Sequence, residues 1–267
     1  MTVNWIDLVG AGLSGGVVVK ALDYIYQEYL RRSKASKSAR SLVDTHMDPI
    51  LKSADELVGK IRSLAQSDFT DLVKGSPPKG KQFEEWLQYL DLMYLFAQFW
   101  SRIQILRIEG IFINLSADVR GKKLIDFFRS LESTRTRIIG RSWQRAIGET
   151  LLVQSEKGLS TLTYIDFTES FLSNDEFRRW YKPLTNVFMK LNHSRERQQL
   201  LIYGAIIHSL IDTLDSEHLV TRYRPGWPNK LSKKSRRSLK FRIFRLYLPF
   251  VKNPNKYLMP GYKEPLK

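Results

Sequence analysis

The sequence predicts an all-α fold: an irregular bundle of long helices, preceded by a short apolar helix and followed by a basic, proline-containing tail. Three observations lead there. Apolar residues recur at three- and four-residue steps over most of the chain, the period of one helix face. No stretch sustains the two-residue alternation of a half-buried strand between hairpin turns. The last 46 residues hold six of the ten prolines, too many for a long regular element.

The opening segment, 1–40, allows three readings. Val9 to Gly16 contains a G-x-G-x-x-G, the glycine pattern that lets backbone N–H groups approach a pyrophosphate in a dinucleotide fold. The context of that fold is missing, because Asn4 and Asp7 interrupt the preceding run. Basic residues 29–34 stand where the second strand and its ribose-binding acid belong. A membrane-associating helix is the reading the residues favour. Trp5 to Val19 is apolar or small apart from Asp7 and Ser14, and Trp5 at one end with Tyr24, Tyr26 and Tyr29 at the other resemble interfacial aromatics. Gly12 and Gly16, with Ala11 and Gly15 beside them, form a small-residue face on which helices pack closely. Fifteen residues at about 1.5 Å each fall short of a hydrocarbon core of about 30 Å, so the segment is expected to span with its polar continuation or to lie in the interface. The third reading is a helix packed on the body, or one that assembles in an oligomer. Arg31, Arg32, Lys34, Lys37 and Arg40 follow at once, which places the body on the cytoplasmic side of a cell membrane.

The body is expected over 41–221. Residues 47–73 carry Ile50, Leu51, Ala54, Leu57, Val58, Ile61 and Leu64 on a helical face, with Asp48 as N-cap and Pro49 in the first turn. Proline and glycine between Gly75 and Gly80 break the chain. The next helix runs over 82–113 through Trp86, Leu90, Met93, Ala97, Trp100 and Ile103; its richest apolar run, Leu92 to Trp100, is interrupted by Gln98 and closed by Arg102, too short to span a bilayer, and is read as buried core. Helices are expected near 118–132, 141–157 and 164–191, the last in two pieces if Pro183 splits it, and over 194–217.

The charge is uneven. Of a net +16, residues 222–267 hold +13, with 14 Lys and Arg against Glu264, and the rest of the chain carries only +3. Within that tail Lys233, Lys234, Arg236, Arg237, Lys240, Arg242 and Arg245 interleave with Leu239, Phe241, Ile243, Phe244, Leu246, Tyr247 and Leu248. On a regular helix Leu239, Ile243, Leu246, Tyr247 and Phe250 share one face and Phe241, Phe244 and Leu248 the other, whereas residues 240–243 alternate as a strand would. In either conformation a dense basic run with apolar side chains binds anionic lipid by charge plus burial. The same chemistry serves phosphate backbones, with aromatics for stacking on single strands. Anionic lipid is the preferred partner, since a membrane-anchored first helix would bring the tail to the same leaflet. Nucleic acid is the alternative, and no protein partner is named by the residues.

Chemistry is sparse elsewhere. With no cysteine, an iron–sulfur cluster, a thiolate zinc site and a cysteine nucleophile are excluded, and four histidines leave little for metal or triad work. No cofactor, metal ligand set or catalytic residue is assigned, and the balance is against an enzyme. Asp44, His46 and Asp48 would point the same way on an extended segment and could touch a metal, although Asp48 already serves as a cap. His208 and Asp212, one helical turn apart, read as a core histidine satisfied by a carboxylate. Arg135, Arg137, Arg141 and Arg145 form a candidate phosphate site, with Arg141, Arg145 and Glu149 spaced as a self-paired solvent face.

The stretches 48–57 (Asp48 to Leu57), 94–107 (Tyr94 to Arg107) and 145–149 (Arg145 to Glu149) together resemble a scattered bacterial family of uncharacterised helical proteins, over roughly residues 1–215. Its members also begin with a short Gly/Ala-rich apolar helix and a basic helical stretch. The resemblance implies an all-helical architecture and a membrane-associating N-terminus, and it brings no activity or site residue. The expectation is a membrane-associated, cytoplasm-facing interaction or scaffold protein, self-assembling through its first helix.

Overall fold

The computed structural model describes residues 16–73, 83–156, 158–228 and 230–259, with side chains from Tyr24 onward apart from those of 71, 73 and 85. Helices dominate: α1 (Gly16–Gln66), α2 (Thr70–Val73), α3 (Phe83–Glu109), α4 (Val119–Leu131), α5 (Arg141–Thr150), α6 (Tyr164–Ser173), α7 (Asp175–Phe188), α8 (Ser194–Leu214), α9 (Lys233–Ser238) and α10 (Asn255–Leu258). Among the described residues the one sheet is an antiparallel hairpin, β1 (Leu152–Ser155) with β2 (Gly158–Thr161). The protein is all-α.

The longest element departs most from expectation. α1 covers 51 residues, roughly 75 Å at about 1.5 Å per residue. Asp48 is therefore no N-cap and Pro49 no first-turn residue; both lie mid-helix. The proline removes one N–H from the ladder. Val43, Met47, Ile50, Leu51 and Ala54 are buried on both sides of it, so packing carries the helix past the lost rung. The helix ends where the chain turns left-handed at Asp68 and Phe69 (φ 53° and 61°). Before Ala39, the first fully buried residue, the described side chains stand mostly in solvent, so α1 projects as an arm.

α3 lies in the middle, packed on α1 and α5. Its Phe96 meets Trp100, Phe188 and Tyr203 at ring distances of 5.2–5.7 Å, and the Trp100 indole N–H donates to the Tyr203 hydroxyl at 2.7 Å. The 141–157 helix stops at Thr150 and continues as the hairpin, turned at Gly158, whose φ of +113° suits glycine alone. The 164–191 stretch is divided at Asn174 rather than Pro183. The Asn174 side chain accepts from the N–H groups of Glu176 and Phe177 and starts α7, inside which Pro183 is tolerated.

Residues 222–259 do not form a separate layer. Trp227, Leu231, Leu239, Ile243, Phe244, Leu248, Val251, Tyr257 and Leu258 belong to the same hydrophobic core as α1, α3 and α8. The composition change near Thr221 is not a change in packing.

Candidate functional site: the outer face of the C-terminal segment

The segment is held to the body by polar ties to α1, to the turn that follows it and to α8. The Arg224 guanidinium meets the Asp55 carboxylate, and its Nη2 donates to the Asp55 carbonyl at 3.0 Å. Arg62 donates to the carbonyls of Pro225 and Gly226 at 3.1 and 3.2 Å. Lys230 pairs with Asp68 at 2.7 Å, while Gln198 brackets the chain by donating to the Lys230 carbonyl and accepting from the Ser232 N–H. Between these ties Trp227 seats its indole on Gly204; any side chain there would overlap the ring, so only glycine allows the approach.

The last tie is buried. Lys256 is 5% exposed and its ammonium lies 2.9 Å from the Asp212 carboxylate, to which the Tyr257 hydroxyl also donates at 2.6 Å. His208 does not take the role expected of it. It is 3.7 Å from Asp212, beyond hydrogen-bond reach, and neither ring nitrogen has a partner. Burial, the largest influence, and the nearby cations outweigh Asp212 and push the His208 pKa down to about 4, so the ring is a neutral core residue set edge-on to Tyr257. His218 stands 3.6 Å from the same carboxylate. Asp215 turns the chain onward. Burial raises its pKa, but the Thr221 hydroxyl and the N–H groups of Leu219, Val220 and Thr221 outweigh it and hold the carboxyl below its usual range.

Ser232 caps α9, and a π-helical turn over Leu239–Phe244 follows. That turn settles which side chains face in. Bonds from the N–H of Arg245 to the Lys240 carbonyl and of Leu248 to the Ile243 carbonyl span five residues instead of four. The wider turn brings Leu239, Ile243, Phe244, Leu248 and Val251 into the core together. It leaves Phe241, Leu246 and Tyr247 outside, 45%, 66% and 40% exposed. The two faces expected of a regular helix are therefore exchanged at Phe244, Leu246, Tyr247 and Leu248.

Of the expected polyanion-binding residues, those of the tail fall on this outer face and Arg31 and Arg32 do not. Lys233, Lys234, Arg237, Lys240, Arg242 and Arg245 are exposed and Arg236 is half-buried. None of the seven has a carboxylate partner among the described residues. The sequence explains why: no acid occurs between Glu217 and Glu264. The surface thus joins seven unpaired cations to three exposed apolar side chains.

Arg31 and Arg32 sit apart, on the arm, and are not free. Both pair with Glu28 at 2.7 Å, and those two hydrogen bonds hold the Glu28 carboxyl below its usual range. Tyr24, Ile25, Tyr26, Tyr29 and Leu30 are exposed beside them. Trp5, Ala11, Gly12 and Gly15 lie outside the described residues, as does the G-x-G-x-x-G run, and Gly16 is described only as the first residue of α1. Among the described residues no helix is long and apolar enough to cross a membrane.

The other candidates resolve locally. Asp44, His46 and Asp48 lie on a helix, not an extended segment: Asp44 pairs with Arg120, and His46 Nε2 is 2.9 Å from Glu109. No group of His, Asp or Glu among the described residues could hold a metal. Arg141 and Arg145 do not pair with Glu149, which instead accepts from Gln104. They converge with Arg107 on Glu132, at 3.6, 3.1 and 2.6 Å. Sequence spacing gave no sign of that carboxylate, because it comes from the end of α4.

No family model, no curated protein and no solved structure matches this chain.

Proposed function

We propose that the protein is an interaction or scaffold protein that associates with anionic membrane through the outer face of residues 233–247, with the body on the cytoplasmic side. The observation that carries this reading is the meeting of seven bases, none with a carboxylate partner among the described residues, with exposed Phe241, Leu246 and Tyr247 on the outer face of a segment docked on the core. Bases near an anionic leaflet contribute about 1 kcal/mol each, and apolar side chains add burial. Leu246, an aliphatic chain exposed among cations, suits acyl chains better than stacking on nucleobases. The exposed aromatics of the α1 arm would supply a second contact, and the glycine-faced segment ahead of it would supply anchoring or self-association.

The test is co-sedimentation of the full chain with phosphatidylcholine vesicles, with and without phosphatidylglycerol, over a salt titration. Binding should require the anionic lipid and weaken with salt. The variant K233Q/K234Q/K240Q/R242Q should lose it. Equal binding to neutral vesicles, or an unaffected variant, would overturn the reading. Tighter binding of single-stranded RNA than of anionic vesicles at equal ionic strength would move the surface to nucleic acid.

A further inference from the structure

A second surface, sharing no residue with the C-terminal segment, has the composition of a ligand site. A groove of about 400 Å³ runs along α7, within the roughly 300–1,000 Å³ typical of small-molecule sites. Its floor is aromatic: Trp86 of α3 and Phe171 of α6, both buried, meet edge to face at 5.0 Å. Met189 adds a flexible thioether from the end of the same helix.

The charges on its wall are unevenly used. Arg178 pairs with Asp175, donates to the Leu172 carbonyl at 3.3 Å, and lies 5.9 Å over the Phe171 ring. The Thr185 hydroxyl is turned inward, onto the Tyr181 carbonyl and Met93 Sδ. Arg179 and Lys182 remain. Both are exposed, both line the groove, and neither has a carboxylate partner among the described residues. Three residues apart on one helix, they are surface neighbours able to share one anion. Asp175, the acid among the described lining residues, is already matched by Arg178.

A cation would meet this surplus positive charge. A small hydrophilic anion would use Arg179 and Lys182 and make no contact with Trp86 or Met189. We propose that the groove binds a single-chain anionic amphiphile, its acyl chain along Met189 and the accessible edge of Trp86 and its carboxylate on Arg179 and Lys182. Charge complementarity fixes the head at the rim and the apolar floor fixes the direction of the chain.

Calorimetric titration of the full chain with dodecanoate, kept below its micellar concentration, tests this. Dodecanoate should bind, dodecanol should bind at least tenfold more weakly, and acetate should not bind. R179Q/K182Q should weaken dodecanoate at least tenfold. Both positions are exposed, so that variant should keep its thermal midpoint, and the K233Q/K234Q/K240Q/R242Q variant should bind dodecanoate like the unaltered protein. Equal affinity for dodecanol, acetate binding as tightly as dodecanoate, wild-type affinity in R179Q/K182Q, or loss of binding in the C-terminal variant would each overturn the assignment.

Discussion

The α1 arm and the C-terminal segment are both base-rich and both carry exposed aromatics, yet they present their charge differently. Along α1, acids are interspersed at helical spacing: on the arm Glu28 takes Arg31 and Arg32, and just past it Asp44 lies near Arg40 at 3.8 Å. In the segment no acid is local, so pairing is possible only with the body. Arg224, Lys230 and Lys256 reach Asp55, Asp68 and Asp212, and they hold the segment down. The seven bases of 233–245 have no carboxylate partner among the described residues. A count of bases therefore does not measure an electrostatic surface. What matters is whether carboxylates lie within reach, and in a segment without acids the fold decides that.

The strongest way to break this comparison is to detach the segment. Trp227 is a buried aromatic whose seat is Gly204, and Trp227→Ala should cost about 3–5 kcal/mol in chemical denaturation. If the segment were an appendage, the cost would be near zero. Asp212→Leu tests the buried tie separately. It takes the Asp212 carboxylate away from the buried Lys256 ammonium, and breaking a buried pair from one side costs about 3–5 kcal/mol. Adding Lys256→Met should recover much of that loss, because the buried charge disappears with its partner. Additive losses in the double variant would show that the pair itself is not what holds the segment.

These contacts also show what the sequence can reveal. The helices of 83–109, 119–131 and 194–214 are legible because apolar residues recur there at three- and four-residue steps. The run through Pro49 misled because Asp-Pro is a strong local start signal, whereas the buried residues flanking it act through tertiary packing. The unpaired bases could be read from composition alone. Their orientation could not, because it depends on a π turn that moves Phe244 and Leu248 inward. Glu132, which gathers three arginines from two other helices, has no neighbouring residue that announces it.

A smaller effect should appear with pH, in α8 where the segment packs on it and not in the arm. His208 is neutral in the fold with its pKa pushed down to about 4, while an unfolded histidine titrates near 6.5. The unfolded chain therefore binds the extra proton first. Stability is full above about pH 6.5 and falls as the pH drops toward 4, by about 3 kcal/mol at most. Unfolding free energies measured across that window should show the slope, and His208→Leu should flatten it. An unchanged slope in that variant would place the acid sensitivity elsewhere.

The smallest effect concerns the arm, and it addresses the comparison directly. If local pairing is what keeps Arg31 and Arg32 from acting like the C-terminal bases, removing the carboxylate should make them alike. Glu28→Gln deletes one negative charge and releases two guanidinium groups on a mostly exposed stretch of helix. Helix content by circular dichroism should stay the same, since exposed pairs of this kind add little to a helix. Affinity for phosphatidylglycerol vesicles should rise roughly fivefold, about what one additional effective base gives near an anionic surface. The gain should fade as salt is added, because it is carried by exposed charge. Unchanged affinity with intact helix content would mean that the arm does not reach the surface the segment contacts, and that the two base-rich regions serve different partners.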